Sequence, residues 1–366
     1  MVGGPLGRLS MSKKKIQIEQ YIIGDDYPAF VIAEIGVNHN GDLQLAKDLI
    51  REAASCGADC VKFQTFKAER LVTAGAPKAA YQLKTTNQYE SQETMLKKLE
   101  MNMDDYREII DCCKENNVLF MSTPYNIEDV IFLESLGVSV YKLASIHAAE
   151  PWFASYVAQT GKPIILSTGM ASLIEVEAIV NAVYKAGNEQ IILLQCTSNY
   201  PSKQEDTNLL AMKTLSDKFG LLVGYSDHTD DDIACIVSIG LGAKVIEKHF
   251  TVNKNLEGPD QSTSAMPIEF KGLVKAIRSA ELVLGSSIKQ PCAIEKKNMV
   301  GMRRSIVAKK NIKKGELIDE TLITFKRPAT GIKPMYFKDL IGRIAIRDIA
   351  LDELCLLYTS PSPRDS

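Results

Sequence analysis

Short apolar runs rich in valine and isoleucine recur along most of the chain. They begin near Ala29, Cys60, Val118, Val138, Pro163, Gln190, Gly220 and Lys244, and read AFVIAEIGVN, CVKFQTF, VLFMSTPYN, VSVYKLAS, PIILSTGM, QIILLQCTSNYP, GLLVGYSDH and KVIEKHFT. Between most of them, stretches such as LQLAKDLIREAASCG, IEVEAIVNAVYKAG and DDIACIVSIGLG place apolar residues at helical spacing. Gly57, Asn117, Gly137, Gly187 and Gly242 stand where such helices should stop, because glycine and asparagine accept the left-handed backbone of a helix C-terminus. Nearly continuous apolar strands suit a parallel sheet buried on both faces. Eight strand–helix units over residues 29–285 therefore predict an α/β fold of the (β/α)8 TIM-barrel type, typically about 250 residues long. A doubly wound sheet fits less well, since no GxGxxG follows the first strand.

Two stretches break the repeat. Residues 67–92 form a long polar segment after the second strand, and long loops on compact scaffolds are commonly functional. After Gly285 the pattern changes to a linker over 286–302 and then to short strands with lysine–glycine turns over 303–353. The expected layout is a catalytic barrel over 16–285 and a small β-rich domain lacking its last strand. Residues 1–10 and 354–366 are expected to lie outside both, with Met11 reading as a natural start.

Composition narrows the function classes. The net charge is −2 with 24% charged residues, and no basic stripe announces nucleic acid. No apolar run has the ~20 residues of a membrane span. The eight cysteines show neither disulfide nor zinc-ligand spacing, which fits a reduced, cytoplasmic setting.

In a barrel, active-site groups belong at the C-terminal ends of strands. Polar residues fall there: Glu34, Asn38 and His39 on the first strand, Lys62 and Gln64 on the second, then the endings STPYN, YKLAS, LSTGM, CTSNYP, SDHT and EKHFT. Alternation along a strand lets Lys62 and Gln64 share a face, as do Ser226 with His228 and Glu247 with His249. The chain has four histidines, and His228 and His249 end neighbouring strands at one rim, within reach of one ion. Each could instead satisfy a local hydrogen bond. Two imidazoles completed by water and substrate oxygens suit Mn²⁺, Fe²⁺, Co²⁺ or Zn²⁺ better than Mg²⁺. Lysines in a barrel mouth need an anion or a chemical task. Lys62 and Lys142 amid the hydroxyls of Thr123, Ser145, Ser167 and Ser226 suit a small anion carrying phosphate and carboxylate. A Schiff-base lysine, or a pairing of one lysine with Glu34, is the alternative. Glu34 is the best placed acid or base.

Taken together, AEIGVNHNG, VKFQTFKAE, STP, LSTGM, CTSNYPS, VGYSDHT, GAKVIEKHFT, GPDQSTS and KKGE…KRPATGI resemble the sialic acid synthases, from about Ile16 to Ile349. These enzymes condense phosphoenolpyruvate with N-acetylmannosamine or related N-acetylated hexosamines to nonulosonic acids. The resemblance implies a barrel followed by an antifreeze-like (SAF) domain, and a domain-swapped, head-to-tail homodimer. It implies that His228 and His249 bind a divalent metal, usually Mn²⁺, with Mg²⁺ or Co²⁺ as alternatives. Lys62, Thr123, Lys142, Ser145, Ser167 and Ser226 would hold phosphoenolpyruvate, with Ser198 where asparagine is usual. Gln64, Tyr200, Asp260 and Asn87 would meet the sugar, and Arg327 would arrive from the other subunit.

The implied chemistry joins C3 of phosphoenolpyruvate to the sugar aldehyde, adds water at C2 with Glu34 orienting or deprotonating it, and expels phosphate by C–O cleavage. One departure stands out: where many relatives carry SGE, this chain has Ser145–Ile146–His147, with Glu150 three residues on. Either Glu150 takes over the sugar contact or the sugar differs, leaving N-acetylneuraminic, legionaminic and pseudaminic acids open as products. Two other readings are a synthase acting on a sugar phosphate and a sugar-binding pseudoenzyme of surface-polysaccharide assembly.

Overall fold

The computed structural model describes residues 14–79 and 82–355. The expectations about residues 1–10 and 356–366, and Met11 as a start, lie outside the described residues. A hairpin of β1 (Lys15–Ile18) and β2 (Tyr21–Gly24) precedes eight strands: β3 (Phe30–Gly36), β4 (Cys60–Thr65), β5 (Leu119–Pro124), β6 (Tyr141–Leu143), β7 (Ile164–Ser167), β8 (Ile191–Cys196), β9 (Leu222–Asp227) and β10 (Val245–His249). These eight close into a barrel in sequence order, β10 pairing in parallel with β3. All five predicted helix stops have positive φ, from 55° at Asn117 to 98° at Gly242. The helices between strands keep one apolar face on the barrel. In Leu43–Ser55, for example, Ala46, Leu49, Ile50 and Ala53 are buried.

Strand alternation splits the barrel interior into two zones. Phe30, Ile32, Cys60, Leu119, Met121, Ile165, Ile192, Leu194, Leu222 and Val245 fill the N-terminal half with apolar side chains. Ile16, Ile18 and Ile23 of the hairpin join the same cluster, so β1 and β2 plug that end. Each fully buried isoleucine there contributes about 1.5–3 kcal/mol. The plug was not foreseen, because two four-residue strands carry too little pattern to stand out. Gly224 is required at this packing: a Cβ there would lie 2.4 Å from the Val245 carbonyl oxygen.

The chain divides into two compact units at Gly285/Ser286. The second has its own core, including Ile306, Ile312, Ile318, Leu322, Ile323 and Ile349, around antiparallel β11 (Ser305–Ala308) and β12 (Ile323–Lys326). Three expectations need correction. The linker contains a helix, Ala293–Met302, opened by a hydrogen bond from Cys292 N–H to the Glu295 carboxylate. The polar segment after β4 is not one loop. It holds the short helices Ala68–Leu71 and Gln82–Thr85 and leads into the helix Gln92–Leu99, capped by Ser91. Ordered pairing also continues past residue 353, since Leu354 bridges Val307 and the buried Cys355 exchanges backbone hydrogen bonds with Ile306 and Ile332.

Candidate active site

At the C-terminal end of the barrel the inward positions turn polar and line a cavity of about 430 Å³. Reading outward along each strand, the apolar plug gives way to Glu34 and Lys62, to Thr123 and Lys142, to Ser167, and to Ser226 with Glu247. His228 and His249 lie one step farther out. All of these side chains line the cavity, together with Gln64, Ser145, Ser198, Tyr200 and Asp260.

The floor is a buried network of opposite charges. Lys62 Nζ lies 2.7 Å from Glu34 Oε2 and 3.9 Å from Glu247 Oε2. Lys142 Nζ lies 3.5 Å from Glu247 Oε1 and donates to Ser167 Oγ at 2.7 Å. Glu247 Oε1 also accepts from Ser226 Oγ at 2.9 Å. Burial pushes the Glu34 carboxyl above its ordinary pKa, with Lys62 pulling the other way. Burial opposes the Lys62 charge too, but Glu247 and Glu34 outweigh it and raise that pKa. For Lys142, burial prevails and the pKa falls. The alternative pairing of a lysine with Glu34 is therefore present, and it coexists with the hydroxyl lining. Beside this floor Gly169 N–H donates to Ser145 Oγ at 3.1 Å. A Cβ on Gly169 would come within 2.5 Å of Ser198 Oγ and 2.7 Å of Ser145 Oγ, so only glycine keeps this hydroxyl-lined notch open.

The two histidine rings lie 5.3 Å apart between centroids, with the Tyr200 ring 4.1 Å from that of His228 and tilted to it by 40°. His228 Nδ1 is 2.7 Å from the Thr197 carbonyl oxygen, an acceptor that fixes Nδ1–H and leaves the Nε2 lone pair for a ligand. His249 Nδ1 is buried without a hydrogen-bond partner, Asp260 Oδ2 standing 3.7 Å away. Burial, then His228, hold His249 far below its ordinary pKa, so its ring is neutral. Asp260 is pushed up to about 6 by burial and by Glu34. Burial opposes a charge on His228, but Cys196 and the Thr197 carbonyl outweigh it and push its pKa up to about 9. Two adjacent imidazoles, one neutral with an unpartnered buried nitrogen and the other held by Thr197, fit a divalent cation that displaces the proton from His228. Among the described residues, no set of three or more His, Cys, Asp or Glu side chains forms a larger cluster of this kind.

Not every candidate converges. Asn87 is exposed; its carbonyl accepts from Lys78 and its side chain from Tyr89 N–H, and it does not line the cavity. Arg327 belongs to the second unit, where its Nε donates to the Met302 carbonyl oxygen. Asn38 and His39 serve the scaffold: Asn38 Nδ2 donates to Phe250 O and Ser264 Oγ, and His39 Nδ1 accepts from Gly41 N–H. His147 is fully buried, accepts from Ala144 N–H through Nδ1 and packs its ring, tilted, 4.9 Å from that of Phe153. Neither it nor Glu150 lines the cavity, so Glu150 does not replace the usual glutamate.

Conversely, Glu247 was noted only for its strand parity, although it is the counter-charge shared by both lysines. Tyr125, whose hydroxyl donates to Gln64 Oε1 at 3.0 Å, was not singled out either. Parity with His249 and with Thr123 was the available signal for each.

Comparison with known proteins agrees with this architecture. Residues 49–289 match the NeuB family model and residues 303–354 the SAF domain. The chain is 46% identical to the N,N'-diacetyllegionaminic acid synthase of Campylobacter jejuni, over 88% of this chain and 98% of that protein. It is 43% identical to the Legionella pneumophila protein of the same name, over 87% and 91% respectively. The crystal structure of the N-acetylneuraminic acid (sialic acid) synthetase from Leptospira borgpetersenii superposes with a TM-score of 0.71 at 32% identity, covering 78% of this chain and 95% of that one. With a matching family model over most of the barrel and relatives of this identity along nearly its whole length, the chain belongs to the NeuB family.

Proposed function

We propose that this protein condenses phosphoenolpyruvate with an open-chain, N-acetylated amino sugar, giving a nonulosonic acid and inorganic phosphate. The 6-deoxy diacetamido hexose that leads to N,N'-diacetyllegionaminic acid is the favoured sugar, in line with the names of the two relatives above. The observation that carries the reading is the floor on which Lys62 meets Glu34 and Glu247, and Lys142 meets Glu247, in one cavity with two adjacent histidines.

Lys62 and Lys142, with the hydroxyls of Thr123, Ser145, Ser167, Ser198 and Ser226, hold the phosphate and carboxylate of phosphoenolpyruvate. Gln64, Tyr200 and Asp260 face the sugar from the other side. His228 and His249 would hold the divalent cation, for which Mn²⁺ is the favoured identity; when bound it supplies Lewis-acid polarisation of the sugar aldehyde. The enol carbon C3 forms a bond to that aldehyde carbon as the C=O π pair moves to the oxygen, which takes up a proton to become a hydroxyl, leaving positive charge at C2. Water adds at C2, and Glu34, poised by burial and by hydrogen bonding from Gln64, receives its proton. The C–O bond to phosphate then breaks, and the lysine ammonium groups stabilise the departing anion. Arg327 is assigned to the cavity of a second copy of the chain.

The test is mass spectrometry of the product formed from phosphoenolpyruvate, Mn²⁺ and the 6-deoxy diacetamido hexose. A product combining the sugar with a pyruvoyl unit, plus one equivalent of phosphate, supports the reading. Recovery of unchanged sugar from every hexosamine offered would refute it.

A further inference from the structure

A sealed ion pair stands back to back with the two histidines. Strand alternation turns Ser226, His228, Glu247 and His249 into the cavity, so Asp227 and Lys248, between them, point out of the barrel. The two are direct partners in the parallel register of β9 and β10. On that outer face the helix Ile233–Gly240 supplies Cys235, whose Sγ lies 3.3 Å from Asp227 Oδ2. Lys248 Nζ is 2.6 Å from the same oxygen, and the Lys248 and Asp227 side chains are only 5% and 0% exposed. Neither residue lines the cavity.

The Lys248 ammonium gathers the chain around His228. Besides Asp227, it donates to the carbonyl oxygens of Thr229 at 2.9 Å and Asp231 at 3.0 Å. Asp227 Oδ1 accepts from Thr229 N–H at 2.9 Å and from the Tyr225 hydroxyl at 3.0 Å. The residue before His228 and two residues after it are thus tied to one group, and that group belongs to the residue immediately before His249. A buried ion pair adds little net stability, because desolvating both charges offsets most of their attraction. An apolar pair could fill the same space. What charge and directed donors supply, and an apolar pair would not, is a fixed setting of the turn after β9 against the end of β10. Two imidazoles serve one cation only at a defined spacing and tilt, here 5.3 Å and 53° between the rings.

Resting on the two-histidine metal site proposed above, we infer that Asp227 and Lys248 are positioning residues that fix His228 against His249 and so set the affinity of the site for its divalent cation. Each acts through the backbone beside one histidine, from the far side of the sheet. Without the tie both ligands are still present, but the turn carrying His228 is free to shift relative to β10. The loss therefore falls on cation binding. It spares Lys62 and Lys142, which stand on β4 and β6 and hold phosphoenolpyruvate.

The experiment titrates the full chain with Mn²⁺ in the absence of substrates and counts free Mn²⁺ by electron paramagnetic resonance. Asp227→Asn keeps the shape but must turn its amide NH₂ toward either the Lys248 ammonium or Thr229 N–H, which breaks the tie on one side. It should raise the Mn²⁺ dissociation constant about 10- to 100-fold, the range found when groups that orient metal-binding histidines are removed. The KM for phosphoenolpyruvate, and kcat once Mn²⁺ is saturating, should stay within about twofold of the parent. The double variant Asp227→Asn/Lys248→Met leaves no buried charge unpaired and serves, with the same expectation, if the single variant does not fold by circular dichroism. Parental Mn²⁺ affinity in a folded variant overturns the positioning role. So does an equal loss of Mn²⁺ and phosphoenolpyruvate affinity, which would report a general loosening of the barrel. A parent protein that binds phosphoenolpyruvate but no Mn²⁺ would instead overturn the two-histidine site on which the inference rests.

Discussion

The Lys62 ammonium lies 2.7 Å from Glu34 Oε2, and both side chains are almost sealed from solvent. An incoming anion must therefore share Lys62 with a carboxylate that is already there. Glu34→Gln keeps the shape and removes the competing charge. Its KM for phosphoenolpyruvate should stay level or fall, while kcat drops by about 10²- to 10⁴-fold with loss of the proton acceptor. Steady-state kinetics on both substrates would show this split; a rise in KM with unchanged kcat would assign Glu34 to binding instead.

His147 gives a pH prediction. Burial, and then the charge of Lys142, depress its pKa to about 3 from the ordinary 6.5. The unfolded chain therefore binds a proton between those values that the folded chain refuses. Stability from this residue is complete above about pH 6.5 and is lost as pH falls toward 3. Between pH 7 and pH 5 the parent should lose about 2 kcal/mol more than His147→Gln in urea unfolding. Parallel pH profiles would show that the ring is not held neutral.

The hairpin plug should matter for folding and not for chemistry. Ile18 and Ile23 are 1% and 0% exposed and pack into the apolar half of the barrel, away from the charged floor. Ile18→Ala or Ile23→Ala should each cost about 2–5 kcal/mol. Chemical denaturation measures that loss, and kcat at a temperature where the variants are folded should be unchanged.

Much of this was legible in the sequence, for definite reasons. Nearly continuous apolar strands and glycines at helix ends are strong signals, and the five predicted stops adopt positive φ, a turn that four glycines make without a Cβ penalty and that Asn117 tolerates. Strand parity put Lys62, Gln64, His228 and His249 on the cavity side. What escaped notice depends on tertiary packing. Ile16, Ile18 and Ile23 acquire meaning only once the barrel gives them an open end to fill. Leu71 and Leu96 lie in a segment whose polar composition concealed a small core. His147 could be seen to depart from the family pattern, but its packing against the rings of Tyr125 and Phe153 could not be read from one position.

Arg327 supplies a test of assembly. If the Arg327 of one copy completes the cavity of another, Arg327→Ala and His249→Ala chains should each be inactive alone. Mixed after co-expression, they should regain up to about a quarter to a half of parental activity, since mixed pairs hold one barrel with both groups intact. No recovery in isolated mixed assemblies would place Arg327 outside the reacting centre.

The most direct test of the central claim is the initial rate of phosphate release by chelator-treated protein given phosphoenolpyruvate and the 6-deoxy diacetamido hexose, before and after Mn²⁺ is restored. A two-histidine metal site above a lysine-lined anion floor predicts release that requires both sugar and metal, and that His228→Ala and His249→Ala each abolish while keeping the parental fold. Release without sugar, or full activity in either folded histidine variant, would contradict it.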